Sequence, residues 1–346
     1  MRHAMIDLSA EFAEIHAPSS HGSRPWTTPR EVAPPSTASP DAITIEFALD
    51  RTRALRANRN VAREMALTLS LYVDVFNRAM RVYGQRVPAS VDDGGLVTRA
   101  WIDDVMAGGT TTADLPFCRV TYLPVQGGAN DSAIRDLWRS TRRRTTRGRL
   151  AGGPGIALPG IVEGAVYSDG ALRFLGREGL AVWLDLYAEL GFRDFSDQVV
   201  WGETWAWLRN DTDCLDEGGK GLRRDHVISG RTRLERALRR WSLNPVASPP
   251  RLRNAIARVK ARETYELLSD ALGLIVLSHE DDQRQVDLIE ESARLSDWWA
   301  RLDASGLGVW PVSVLTQFDD TRDHLCRRLE LSSPPVFCAI VGVSAA

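Results

Sequence analysis

The chain has 346 residues, 25% of them charged and 44% hydrophobic, with a formal net charge of -2 at pH 7. This is an ordinary globular composition, sufficient for one large domain or two medium ones, and it lacks the overall charge that draws a protein to nucleic acid or a membrane surface. Cys118, Cys214, Cys326 and Cys338 form no CxxC pair, so neither a disulfide framework nor a metal site is expected; with no signal-like h-region and no apolar run of about 18 residues, the expectation is a cytoplasmic protein without a membrane partner.

Residues 27–41 are rich in Pro, Ser and Thr and read as an extended loop. Ile43 to Leu49 begins with period-2 alternation, the pattern of a half-buried strand. Apolar residues at Val61, Met65, Leu69, Val73, Phe76 and Met80 then recur at steps of three and four, predicting a helix to Tyr83 that Gly84 stops. Pro116 to Leu123 reads as a strand, and Asn130-Asp131 caps a helix carrying Ile134, Leu137 and Trp138. Leu180 to Leu190 is a helix, a Trp-rich helix covers Phe195 to Arg209, and two more cover Arg231 to Trp241 and Leu252 to Leu272. Leu274 to Leu277 is a buried strand, Gln285 to Ala304 a helix stopped by Gly306, and Val336 to Val343 an apolar strand. Strand, long helix, Gly stop and a Phe-Cys strand thus occur twice, with Phe117-Cys118 and Phe337-Cys338 in matching places. Both chance recurrence of a common unit and an ancient duplication account for that.

Two segments carry candidate chemistry. Arginines stand at Arg139, Arg142, Arg143, Arg144, Arg147 and Arg149. Guanidinium groups clustered after a helix suit a phosphate, with Thr145 as a hydroxyl donor; the alternatives are a solvated basic face or an arm for nucleic acid phosphates. Near the N-terminus, Ala17-Pro18-Ser19-Ser20-His21-Gly22-Ser23-Arg24-Pro25-Trp26 is a hydroxyl-rich turn fixed by two prolines. It can present amides and hydroxyls to the edge of a flat ligand, or be an ordinary loop anchored by Trp26.

The segments Arg143-Arg144-Thr145-Thr146-Arg147 and Ala17 to Trp26 resemble the Arg-Arg-Ser/Thr-x-Arg and Ala-Pro-Ser-x-x-Asn-x-Gln-Pro-Trp signatures of FMN-dependent nitroreductases. Their reversed order is most similar to the Acg-type branch. Asp50-Arg-Thr-Arg53 with Arg63-Glu64, Trp201 to Trp207 with Gly218 to Gly221, and Gly306-Leu-Gly-Val-Trp310 are further similar segments, so the resemblance spans nearly the whole chain. Three positions depart from the pattern: Gly22 replaces Asn, Arg24 replaces Gln, and the sequence stops just past its last strand where most members continue to basic residues.

The resemblance implies an α+β, nitroreductase-like fold: a central, mostly antiparallel sheet flanked by helices, in two degenerate halves divided as 1–128 and 129–346. Ordinary members are dimers whose sites borrow the Pro-Ser turn from the partner; the fused branch implies a monomer with an internal pseudo-dimer and one retained site. In it Arg143, Arg144, Thr145 and Arg147 would hold the FMN phosphate, Pro18, Ser19, Gly22 and Arg24 would line the ring, and Gly308, Val309 and Trp310 would close the opposite wall. No catalytic side chain is assigned.

Trp201, Trp205 and Trp207 are either a lid over the substrate or core; the i,i+4 spacing of the first two favours core. Hydride would come from NAD(P)H as a transient donor or from the substrate itself, a small molecule or peptide-like intermediate. No GxGxxG follows a strand, so no tightly held nicotinamide is expected. The alternative function is a non-catalytic FMN-binding or FMN-sequestering protein. Nucleic acid binding ranks below both, and His16, His21, His226, His279 and His324 form no HExxH motif for a metallohydrolase.

Overall fold

A computed structural model describes residues 2–19, 23–95, 97–108, 114–125, 131–141, 145, 148–152, 171–209, 222–224, 228 and 232–344. In chain order its first elements are α1 (Arg2–His16), β1 (Arg30–Val32), β2 (Ile43–Leu49), α2 (Arg59–Tyr83), β3 (Arg86–Asp92), α3 (Thr98–Ala107) and β4 (Leu115–Pro124). The middle of the chain holds α4 (Asp131–Thr141), β5 (Leu150–Ala151), β6 (Leu172–Leu175), α5 (Arg177–Leu190), α6 (Arg193–Ser196), α7 (Gln198–Ala206), β7 (Leu208–Arg209), β8 (Leu222–Arg223), α8 (Arg233–Ser242) and α9 (Pro250–Leu268). The last elements are β9 (Gly273–Ser278), α10 (Gln285–Ala304), β10 (Leu307–Pro311), α11 (Val314–Gln317), α12 (Asp319–Arg328) and β11 (Pro335–Ser344).

The fold is α+β, and the expected antiparallel pairing is divided between two main sheets. One runs β1-β2-β4-β3; the other runs β6-β9-β11-β10, with β5 added against β11. Every pairing in both is antiparallel, and a short parallel pair, β7-β8, stands apart. The two sheets share an element order: β2-α2-β3-α3-β4 in one, β9-α10-β10-α11-α12-β11 in the other. Phe117 and Phe337 each occupy the third position of a ten-residue strand. Register shifts fall beside both, between Phe47 and Ala48 opposite β4 and between Pro335 and Phe337 in β11.

The long helices lie between these sheets. Asn58 caps α2, its side chain accepting from the Val61 amide, and the helix is buried almost all round. The apolar positions read from its periodicity, Val61 to Met80, are all fully buried. It packs against α10, and each helix reaches across the divide: α2 touches β11 and α10 touches β4. Burial on every side follows from serving two sheets at once.

Several expected boundaries shift. The 27–41 loop contains β1, and the helix expected over Phe195 to Arg209 is α6, α7 and then β7. The helix expected to Leu272 ends at Leu268. Gly84 terminates α2 in right-handed geometry, its amide donating to the Met80 carbonyl; the left-handed step falls on Gln85 instead, with φ 51. Gly306 does make the expected turn, with φ 77.

Candidate functional site

Local chemistry locks the N-terminal turn. The Ala17 amide donates to the Ala13 carbonyl at 2.9 Å, closing the last turn of α1, and Pro18 then ends the helical pattern. Ser19 Oγ accepts from the Arg24 amide at 3.1 Å. Arg24 is left-handed, with φ 45, a conformation that costs a non-glycine residue and that surrounding contacts must hold. Arg53 supplies one of them, donating from Nη1 to the Arg24 carbonyl at 2.9 Å.

Asp50 grips Arg53 at 2.7 Å, and its own amide donates to the Pro25 carbonyl at 2.7 Å. Burial pushes the Asp50 carboxyl up, but the Thr52 hydroxyl and amide, together with Arg53, hold it below the usual carboxylate range. The Asp50-Arg-Thr-Arg53 segment singled out in the sequence is therefore the clamp on the turn.

Trp26 is the anchor that the structural reading anticipated. It is buried, stacks on Tyr72 of α2 with ring centroids 4.4 Å apart, and donates from Nε1 to Glu14 Oε2 at 2.9 Å. The other Glu14 oxygen lies 3.7 Å from the Arg24 guanidinium, which keeps 22% of its side chain exposed. Glu14 thus ties α1 to both the anchor and the charge of the turn.

The helix that leads into the arginine-rich segment touches α1. Trp138 of α4 sits edge-on to Phe12 and His16 of α1, with centroids 5.3 and 4.6 Å apart. Beyond α4, Thr145 forms a parallel bridge with Val309 of β10, and Leu150-Ala151 pairs with Ser344 and Val343 of β11. Gly342 permits that crossing, because a Cβ there would lie 2.9 Å from Leu150 Cβ. The described residues on either side of the arginine run thus touch α1 at one end and β11 at the other, with Thr145 bridged to β10.

Of the residues expected to bind cofactor, the structure places Pro18, Ser19 and Arg24 in the clamped turn, and Thr145 beside Gly308, Val309 and Trp310 on β10. Thr145 is exposed, Val309 is buried with only its backbone at the bridge, and Trp310 is half-buried. Arg143, Arg144, Arg147 and Gly22 lie outside the described residues. The described donors fit a phosphorylated flat ligand in kind: the exposed Thr145 hydroxyl and the partly exposed Arg24 guanidinium.

The tryptophans divide as their spacing suggested. Trp201 is core: it is buried, edge-on to Phe195 and Trp205, and donates from Nε1 to the Leu243 carbonyl at 2.6 Å. Trp207 packs partly buried against the main core, while Trp205 meets the Arg224 guanidinium 5.8 Å from its ring.

At the start of α2, Arg63, singled out in the sequence with Glu64, centres a buried polar cluster whose distant partners the sequence did not show. Arg63 donates to both carboxylate oxygens of Asp281 and to Asn60 Oδ1. Beside it Arg322 donates from Nε to the Pro335 carbonyl at 3.0 Å. Burial and the neighbouring Arg63 charge bring the Arg322 guanidinium down to about 10. Glu203 of α7 accepts from the Arg56 and Ala57 amides just before α2; burial pushes its carboxyl up despite those bonds. Partners more than a hundred residues apart leave no spacing to read.

No protein-family model matches the chain. Over 342 residues, covering 94% of this chain and 85% of the relative, it is 26% identical to the probable NAD(P)H nitroreductase PigM of Serratia sp. (strain ATCC 39006), a likeness of nearly whole-chain extent.

Proposed function

We propose that this chain is an FMN-dependent oxidoreductase of the nitroreductase kind, with a single composite site between the clamped turn, the arginine segment and β10. Two contacts support the reading: Thr145 bridges Val309 of β10, and Trp138 of the helix before the arginine run packs edge-on to His16, at the end of the helix that leads into the turn. The nearly whole-length likeness to a probable NAD(P)H nitroreductase supports it.

Bound FMN would supply two-electron redox chemistry, taking a hydride from NAD(P)H and delivering it to a small molecule or peptide-like substrate. The protein's part is to bind and orient. Arg143, Arg144, Arg147 and the Thr145 hydroxyl hold the phosphate; Pro18, Ser19, Gly22 and Arg24 line the ring; the backbone of Gly308 and Val309, with the Trp310 side chain, closes the far wall. Arg24 places positive charge beside the ring, moderated by Glu14 at 3.7 Å.

The same proposal treats residues 1–128 and 129–346 as degenerate copies within a monomer. Shared strand order, the paired Phe-Cys strands and the neighbouring register shifts support it. So does the reciprocal reach of α2 to β11 and α10 to β4, as equivalent contacts in a pseudo-dimer would require.

The direct experiment is the visible spectrum of freshly purified protein, with the released flavin identified after heat denaturation. Near-equimolar FMN that NADH or NADPH bleaches under anaerobic conditions is expected. FMN that neither donor nor any candidate substrate reduces would favour the sequestering alternative, and a colourless protein that cannot be reconstituted would remove both.

The clamp gives a second expected result. Arg53→Ala frees the Arg24 carbonyl and leaves Asp50 without its cation, at a cost of about 1 kcal/mol in stability. Because the freed turn must be ordered again on binding, FMN affinity should fall by about tenfold in a fluorescence-quenching titration. Arg53→Lys, which keeps the charge but loses the fork, should recover only part of it. Unchanged FMN affinity in Arg53→Ala would place the turn outside the site.

A further inference from the structure

We propose that the outer face of α8 is a docking surface for an anionic lipid bilayer, by which the protein rests on a membrane without crossing it. Among the described residues, one side of the helix is tied to α9. Arg239 donates to both Glu263 oxygens at 2.8 and 2.7 Å and pairs with Glu235, while Lys260 of α9 joins Glu263 at 3.1 Å. Ser242 and Leu243 are buried beneath the same side. Thr232 caps the start, accepting from the Glu235 amide at 3.1 Å.

The remaining circumference has two adjacent sectors. Leu234, Leu238 and Trp241, at the i, i+4, i+7 spacing of one helix stripe, are 80%, 55% and 48% exposed. Arg233, Arg236 and Arg240, at i, i+3 and i+7, form an exposed stripe beside them. The apolar surface continues in Val246, 90% exposed in the turn after the helix. Val259 extends it, half-exposed and one turn before Glu263 on α9. Large apolar side chains this exposed on a protein are costly unless something covers them.

Charge and shape together select the occupant. An apolar stripe bordered by arginines matches the acyl boundary and the phosphate layer of an anionic leaflet, and an indole suits the depth between them. Nearly full exposure of Leu234 and Val246 means that these side chains project. A bilayer yields around projecting side chains, whereas a protein partner would need a matching groove. Among the described residues no helix is long and apolar enough to cross a membrane, so the contact is peripheral. It stands independently of the flavin reading.

The test is sedimentation of the full chain with vesicles of phosphatidylcholine, alone or mixed with equimolar phosphatidylglycerol, at low and high salt. Binding to the mixed vesicles at low salt, but not to phosphatidylcholine alone, is expected. Leu238→Glu, and separately Arg233→Glu with Arg240→Glu, should each weaken it by about tenfold or more. All three positions are exposed and make no part of the Arg239–Glu263 anchor, so circular dichroism and thermal midpoint should match the parent. No binding to anionic vesicles, or binding unchanged by both variants, would overturn the proposal. A concentration-dependent dimer that Leu238→Glu dissociates would overturn it too, by assigning the face to a second copy of the chain.

Discussion

Replacing Arg143 and Arg147 with alanine should leave the fold intact and strip the protein of retained flavin. A charge-assisted bond from guanidinium to phosphate contributes about 1.5–3 kcal/mol. Each loss therefore weakens binding by about 10- to 100-fold, and the pair by about a thousandfold or more, enough to lose FMN through purification. The described neighbours have supports of their own: α4 is held by buried Leu137 and Thr141 and by Trp138 against α1, and Leu150-Ala151 pairs with β11. The double variant should thus keep its circular dichroism and thermal midpoint measured without flavin, while equilibrium dialysis shows FMN affinity gone. Retention of near-equimolar FMN would move the phosphate site elsewhere and take the composite-site reading with it. Lysine at both positions should restore binding only partly, since an ammonium matches the charge but not the planar fork.

What the sequence made legible, and what it hid, follows from the range of the interactions involved. Helix α10 was readable end to end because its buried face repeats within each turn and Gly306 supplies the left-handed exit. Strand β11 was readable because nearly every residue is buried from both sides. By contrast, α1 carries exposed Leu8 and Ile15 among its buried positions, which blurs the periodicity. Strand β3 contains Pro88 and alternates weakly because it lies at a sheet edge.

For the site, the turn and the arginine run were visible as residue types, but the contacts of their flanks were not. Trp138 against His16 and Leu150 beside Gly342 join residues far apart in sequence, which no local pattern encodes. The clamp from Arg53 to Arg24 was visible only as a neighbouring motif whose role no spacing could assign. Residues 233–242 were legible as a helix but not as a surface, because exposure of an apolar stripe is a property of packing rather than of pattern.

Asp281→Ala should be the most damaging single change to stability. Arg63 and Arg322 are 8% and 6% exposed, and the Arg63 charge disfavours that of Arg322; Asp281, its side chain 13% exposed, is the carboxylate paired with Arg63 that offsets them. The other acid paired with Arg63, Asp319, is 77% exposed and 4.0 Å away, so it substitutes poorly. Leaving a buried cation unpaired costs about 3–5 kcal/mol, which for a chain of this size lowers the thermal midpoint by about 10 °C. Arg63→Met combined with Asp281→Leu removes both charges and should recover more than half of that loss, because much of the single variant's cost is the stranded guanidinium.

The pH dependence distinguishes this account from simple loss of packing. Burial pushes the Asp281 carboxyl up, but the Arg63 bonds and charge, with Arg322 behind them, hold it below the usual range. Its contribution is therefore fully present above the unfolded carboxylate value of about 3.9 and is lost as pH falls through the lower folded value. His279 titrates earlier. It is buried, its Nε2 lies 2.9 Å from Thr98 Oγ1, and burial lowers its pKa, so its stabilising effect fades as pH falls below about 6.5.

Acid unfolding of the parent should accordingly show two phases. In Asp281→Ala the lower phase shrinks to what Asp50, Asp93 and the other lowered carboxylates contribute. The upper one deepens, because the Asp281 charge that partly sustains His279 protonation is gone. An Asp281→Ala protein that loses less than about 1 kcal/mol, or whose low-pH phase is undiminished, would mean that water already shields the Arg63–Asp281 pair and that packing of α2 against α10 alone joins the two sheets.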